Sequence, residues 1–278
     1  SGRVGRHVLA QLVDRGADVR ALVRNPDAPG PPGVDVVWGD LTLPETLDGC
    51  LRGIDAVFLV WTAPLSTVAA CVERIASQAR RIVFLSAPLK TAHPLWQKPQ
   101  PNPNSLALAQ IERLIETSGL QWTFLRPGMF ASNALSWWAP QIRVGRIVRW
   151  PYLSAATAPI DERDIAAVGV RALCEPGHDG AEYVLTGPQS LTQFEQLSVI
   201  SRAIGLSLCI EEMSPDDARR EWLPTWPAFV VNMLLDAWAA SVGQPAFVTS
   251  TVAEITGAPA RTFAEWAADH ADKFRPQN

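Results

Sequence analysis

A doubly wound α/β fold with a parallel sheet is predicted by three features of the sequence. Its first half alternates between stretches with a strand period and stretches with a helix period. Two of the strand-like stretches, residues 56–60 and 81–85, are continuous apolar runs, as expected of parallel strands buried on both faces. A glycine turn at residues 2–5 leads straight into a helical stripe.

The elements follow in order. Residues 7–15 read as a helix with Val8, Leu9, Leu12 and Val13 on one face and Gly16 as its stop. Residues 18–23 and 34–38 are β-rich, and 47–52 form a short helix closed by Gly53. Residues 67–78 make the helix between the two apolar strands. Prolines at 88, 94, 99, 101 and 103 mark residues 88–104 as a long loop, read as a wall or lid of a site. A helix over 106–117, a strand over 121–125, a helix after Pro159 started by Asp161 or Asp164, and a strand over 182–185 complete the first unit. From Thr192 on, helices dominate, over 192–204, 229–241 and 262–274. The predicted organisation is a nucleotide-binding domain over 1–150 and a small, mainly helical substrate region over 151–278, with 160–188 returning to the first core.

Charged residues are 19% of the 278, and the formal net charge of −4 leaves no footprint for nucleic acid. No apolar stretch reaches the length of a membrane span. Cys50, Cys71, Cys174 and Cys209 form no C-x-x-C pair and sit in apolar runs, which predicts buried, reduced thiols and a cytoplasmic setting. No basic segment followed by an apolar one opens the chain, so no signal peptide is expected. The sequence is compatible with a homodimer.

Gly2 and Gly5 stand where the last two glycines of a G-x-x-G-x-x-G turn would stand. Glycine there admits a diphosphate to the backbone and lets helix and strand pack closely, while the helix N-terminus offers free N–H groups and a positive dipole end. Two glycines alone fit an ordinary helix start equally well. A strand normally precedes such a turn, so a strand and a first glycine are expected upstream of Ser1. Arg24 lies at the end of the 18–23 strand, where an acidic residue would hold the ribose of NAD and an arginine the 2′-phosphate of NADP. NADP is therefore the preferred cofactor, with NAD open, and Arg24 as a solvated strand-end charge is the plain alternative. Arg3 is either a second phosphate contact or a surface residue.

The pieces GRVGRHV, VRALVRNP, GDL (39–41), DAVFLVW (55–61), IVFLSA (82–87), SGLQWTFLRPGMFASN (118–133), ERDIA (162–166) and YVLTGP (183–188) run in order through nearly the whole chain. In them the sequence resembles the NmrA-like, NAD(P)H-binding kind of atypical short-chain dehydrogenase/reductase, with its Rossmann-type sheet. The resemblance implies a cofactor site at Gly2, Arg3, Val4 and Gly5, with Asp40 and Leu41 near the adenine and Trp61 and Thr62 beside the cofactor. It places Ser86 under the nicotinamide and Arg126, Pro127 and Gly128 behind the carboxamide. It also implies a metal-free site.

Short-chain dehydrogenases of the usual kind pass a proton through a tyrosine whose pKa is lowered by a lysine four residues later. Aligned on SGLQW, this sequence has Asn104 and Leu108 at those positions. Its two tyrosines, Tyr152 and Tyr183, are followed four residues on by Ala156 and Gly187. Ser86 and His93 are the candidate replacements. Ser86 is also readable as a turn residue and His93 as a solvent-facing loop residue. A third route is an acceptor that needs little acid. Eleven tryptophans are unusually many. Trp96, Trp137 and Trp138, with Trp61, Met129, Phe130 and Asn133, are read as lining a pocket for a small, flat or apolar substrate, and Trp238 and Trp266 as core. The expected function is hydride transfer from NAD(P)H to a quinone, enone or imine. Against it stand a dinucleotide-sensing regulator that binds a protein partner, and a non-redox cyclase or isomerase in the same cleft.

Overall fold

The computed structural model describes residues 2–25, 30, 32–88 and 103–275. Helix α1 (Gly5–Asp14) leads to β1 (Val19–Val23) and β2 (Val34–Trp38), which pair in parallel from Val19 opposite Val34 to Val23 opposite Trp38. A short α2 (Leu47–Cys50) precedes the main sheet. That sheet is parallel throughout, in the order β3 (Ala56–Leu59), β4 (Arg81–Leu85), β5 (Gln121–Pro127), β8 (Ala181–Leu185). Helices α3 (Val68–Gln78) and α4 (Pro103–Glu116) connect its first strands. Helix α4 starts three residues earlier than the expected 106, because a proline is tolerated in a first turn, where its missing N–H has no partner to lose.

Both faces of the sheet are covered, which is why its strands are apolar on both sides. On β4, Ile82 and Phe84 enter the core beneath α3 and α4, while Val83 enters the core beneath α1 and α7 (Glu162–Cys174). On β5, Phe124 and Leu125 divide in the same way. Asp161 caps α7 by accepting from the Arg163 amide, as the sequence suggested. Gly39 has a packing reason: a Cβ there would come within 2.6 Å of the Leu22 side chain and 3.0 Å of Cys50 Sγ.

A separate core begins at Ala131, upstream of the expected boundary at 150. It takes in α5 (Asn133–Trp137), α6 (Ala139–Gly145), β6 (Ile147–Trp150), α8 (Gln193–Ile204), α9 (Pro215–Trp222), α10 (Ala228–Ser241) and α12 (Phe263–Asp269). It is not purely helical, since β6 pairs in parallel with β10 (Cys209–Glu212). The alternation Ile147, Val148, Arg149, Trp150, with Val148 and Trp150 turned inward, is the strand signal that sequence reading missed. Strands β7 (Ala156–Thr157) and β9 (Leu191–Thr192) form a small antiparallel link, and α11 (Thr251–Thr256) packs on α7. Among the described residues no helix is long and apolar enough to cross a membrane. The thiol expectation holds for Cys50 and Cys71, which are buried; Cys174 and Cys209 are exposed, at a helix end and on an outer strand.

Two buried ionic features make testable demands. Arg126 on β5 is held by both carboxylate oxygens of Glu112 on α4, at 3.0 and 2.7 Å, and by Glu182 on β8. Both members of the Arg126–Glu112 pair are about 6% exposed; removing Arg126 would strand the Glu112 carboxylate, whereas Arg126 without Glu112 would still have Glu182. Arg126→Met, which leaves the Glu112 carboxylate buried and unpaired, is expected to lower unfolding free energy by about 3–5 kcal/mol in chemical denaturation; a loss below about 1 kcal/mol would show that the pair does not lock α4 to β5. Asp164, buried at the start of α7, is pushed by burial up to about 6 from 3.8, against a hydrogen bond from the Arg261 amide. A carboxyl raised in this way favours the folded state only while protonated. Its own contribution to stability should therefore fall as pH rises from 3.8 to about 6, by no more than about 3 kcal/mol, so the stability of Asp164→Asn relative to the parent should rise over that window. Denaturation of both proteins across the window checks this, and equal pH slopes would refute this assignment.

Candidate functional site

The glycine turn folds as a helix start with room beside it. Val4 and His7 close the turn through a 2.9 Å amide-to-carbonyl bond, and α1 begins with neither a side-chain cap nor an acidic residue in its first turn. A Cβ built on Gly2 or on Gly5 meets nothing within 4 Å. Among the described residues the space beside both glycines at the start of α1 is open. That is the shape and polarity a diphosphate needs. At the end of β1, Arg24 is exposed. Its charge reaches Asp40, whose carboxyl is held below the usual range first by the Thr42 amide at 2.8 Å and further by Arg24. Arg24 and Asp40 thus come together as the two expected nucleoside contacts. These residues fit a phosphorylated dinucleotide.

A cavity of about 500 Å³ opens where β5 leaves the sheet. Pro127, Gly128, Met129, Phe130 and Asn133 form one wall, all predicted site residues, and Arg3 reaches it from the glycine turn. Arg3 hydrogen-bonds the Asn133 side-chain oxygen at 2.9 Å and the Ser132 and Ser136 hydroxyls at 3.3 and 3.4 Å. Those partners are neutral, so the guanidinium keeps its full positive charge at the cavity. Asn133 also donates to Met129 Sδ at 3.1 Å, and Met129 and Ala131 are pinned by backbone bonds of 2.9 Å to Ile160.

The opposite wall was not legible in the sequence. It comes from Ala156, Thr157 and Ala158 around β7, from Thr186 after β8, and from Ala237, Trp238 and Ser241 on α10. Gly187 is what lets the β8 exit lie against β7: a Cβ on it would fall 2.0 Å from the Pro159 carbonyl oxygen. Thr186 donates to the Gly187 carbonyl at 2.9 Å and accepts from the Thr249 amide at 2.9 Å, tying in the segment that carries Ala246 and Phe247.

Several expected residues stand elsewhere. Arg126 does not reach the cavity: its guanidinium lies under α4 with Glu112 and Glu182, because successive residues of β5 face opposite sides of the sheet. Trp138 is fully buried in the second core, and Trp137 packs beside it. The helix break between α5 and α6 turns both indoles inward, and the indole that walls the cavity is Trp238, 5.4 Å from Trp137 between ring centres. Trp238, read as core, serves both purposes. Trp61 packs on the core under α3, with its indole N–H buried and without a partner among the described residues. Leu41 packs there too, and Thr62 is exposed. Ser86 is 7% exposed, its amide bonded to the Leu125 carbonyl at 2.8 Å and its hydroxyl buried without a partner among the described residues. His93 and Trp96 lie outside the described residues.

Parallel sheet, open glycine turn and apolar cavity at the exit of β5 define a dinucleotide-binding α/β protein. The family model described as NAD(P)H-binding matches residues 1–176, and the chain belongs to that NmrA-like, atypical short-chain dehydrogenase/reductase family. It is 39% identical to a (4-alkanoyl-5-oxo-2,5-dihydrofuran-3-yl)methyl phosphate reductase of Streptomyces griseus, over 100% of this chain and 98% of the relative. It is 31% identical to an NAD(P)H azoreductase of Xenophilus azovorans, over 99% and 96%. Among solved structures, the NADPH complex of an Escherichia coli quinone oxidoreductase superposes with a TM-score of 0.79 at 21% identity, covering 96% of each chain. A Citrobacter triphenylmethane reductase with NADP(H) gives 0.78 at 17%, covering 97% of each. The protein is an NAD(P)H-dependent oxidoreductase.

If Arg24 holds a 2′-phosphate, Arg24→Ala removes a charge-assisted contact of about 1.5–3 kcal/mol. Calorimetry should then show NADPH binding weakened roughly tenfold to a hundredfold with NADH binding nearly unchanged. Equal losses for the two nucleotides would remove Arg24 from the 2′-phosphate.

Proposed function

We propose that the protein uses NADPH to reduce a conjugated acceptor, an enone or unsaturated lactone before a quinone or imine. The observation that carries this is the cavity lining: among the described residues, Arg3 is its only charged or acid–base side chain. Hydride addition to a saturated ketone leaves an alkoxide, too basic to form readily without a proton donor such as the missing Tyr–Lys pair. Hydride addition to the far end of an enone leaves an enolate, and a quinone leaves a phenolate. Each is far less basic, and a hydrogen-bond donor in a dry site is enough to support it.

The bound dinucleotide supplies the hydride. The chain's residues then have separable tasks. Gly2, Arg3, Val4 and Gly5 receive the diphosphate at the α1 N-terminus, and Arg24 receives the 2′-phosphate. Asp40 and Thr62 flank the nucleoside, and Ser86, Pro127 and Gly128 adjoin the reacting end. Met129, Phe130, Asn133 and Trp238 hold the acceptor and exclude water. The Streptomyces relative supports this reading, since its name describes an oxo-dihydrofuran carrying an alkanoyl group. So does the azoreductase, whose named acceptor is also an electron-poor double bond.

The test is oxidation of NADPH with a panel of paired acceptors, each enone or unsaturated lactone beside its saturated counterpart. Turnover is expected with the unsaturated members alone. Comparable rates with saturated ketones, or no turnover with any member, would end the proposal.

A further inference from the structure

We propose that Thr157 is the group that hydrogen-bonds the acceptor's carbonyl oxygen as negative charge builds on it. The inference rests on the conjugate-reduction reading above and names the donor that reading requires.

The argument is an accounting of the cavity's hydroxyl protons. Ser241 gives its proton to the Ala237 carbonyl at 2.7 Å, one turn back along α10. Thr186 gives its proton to the Gly187 carbonyl. Thr157 is different: its Oγ1 accepts a hydrogen bond of 2.8 Å from the Gln196 amide nitrogen, and its own proton has no acceptor among the described residues. Gln196 is 4% exposed and its amide nitrogen also donates to the Leu191 carbonyl at 2.9 Å. With both bonds made from one nitrogen to oxygens on two sides, the Gln196 amide is fixed in orientation. A hydroxyl that accepts from a fixed donor is polarised and is a better donor in turn. The two-strand link of β7 to β9 sets the Thr157 backbone, so the hydroxyl is placed before any ligand arrives, as stabilisation of a developing oxyanion requires.

The chemistry balances. The acceptor's β-carbon gains a hydride, two electrons in all, and the dinucleotide leaves oxidised. The former C=C pair moves to make the enolate C=C and the C=O pair withdraws onto oxygen, where Thr157 donates without giving up its proton. The enolate takes a proton at its α-carbon from solvent as it leaves the cavity, and the carbonyl re-forms.

Thr157→Val keeps the β-branched shape and removes the hydroxyl; Thr157→Ser keeps the hydroxyl. With an enone that the parent enzyme reduces, Thr157→Val should lower kcat by about tenfold to a hundredfold with a smaller change in KM. Thr157→Ser should recover most of the rate. The infrared carbonyl stretch of the enone bound to the protein with oxidised dinucleotide should lie at lower frequency in the parent and in Thr157→Ser than in Thr157→Val. Calorimetric NADPH affinity, unchanged in all three, reports an intact fold. A Thr157→Val enzyme with parental kcat and an unshifted carbonyl stretch overturns the assignment while leaving conjugate reduction standing. Absence of any enone turnover by the parent instead overturns the reading beneath it.

Discussion

The site depends on how one strand is allowed to end. Strand β5 carries an arginine into the middle of an apolar sandwich, and a charge so placed is tolerable only if it is paired and fully hydrogen-bonded. Glu112 grips Arg126 with both oxygens from α4, and Glu182 meets it from the neighbouring strand β8. Helix, strand and neighbouring strand are thereby fixed in one register. One residue later the chain leaves the sheet at Pro127, and that next stretch, through Asn133, is the cavity wall. The polar lock and the apolar wall are consecutive because a strand directs consecutive side chains to opposite faces. Stability is gathered on the α4 side, and the site opens on the other.

This arrangement explains which parts of the site could be read from the sequence. Pro127, Gly128, Met129, Phe130 and Asn133 are contiguous, follow an apolar strand, and belong to a segment with a recognisable family resemblance. Arg3 sits inside a glycine turn whose geometry is strongly constrained. By contrast, Thr157, Ala237 and Ser241 are small residues from distant segments, and nothing in their local pattern distinguishes them from ordinary strand and helix positions. Only the docking of the second core on the sheet turns them toward a common space. The tryptophans show the same limit. Trp137 and Trp138 were placed in the pocket because they follow its wall in the chain, yet the break between α5 and α6 decides the direction of both rings. In the fold, periodicity and apolar runs exposed the parallel strands, whose signal is local. The β6–β10 pair joins strands far apart in sequence and flanked by helices, and its alternation in β6 is only four residues long.

The second core has a mechanical role in this account. Trp137, Trp138, Trp150, Trp222 and Trp238 form a continuous set of ring contacts with centre distances between 4.6 and 6.1 Å. Trp150 is further anchored by its indole N–H to Gln193 at 2.6 Å, and Gln193 in turn donates to the Pro151 and Tyr152 carbonyls. Large rings packed edge to face have few ways to shift, so Trp238 presents a stiff surface to the cavity despite standing on a helix that is apolar nearly all round. Indoles in such number therefore serve the site mainly by holding its far wall still.

A stiff apolar wall facing a strand exit has a chemical consequence. Most of the cavity's described lining is apolar, so few groups there compete for a ligand's polar atoms. Arg3, exposed at the cavity's edge, is held by the neutral Ser132, Asn133 and Ser136, which leaves its charge available to an anionic group of the dinucleotide. An acceptor that must first be protonated finds no acid along the described walls. On the proposed reading, the missing Tyr–Lys pair is matched by acceptors that form weakly basic anions, and the site selects by the basicity of that anion.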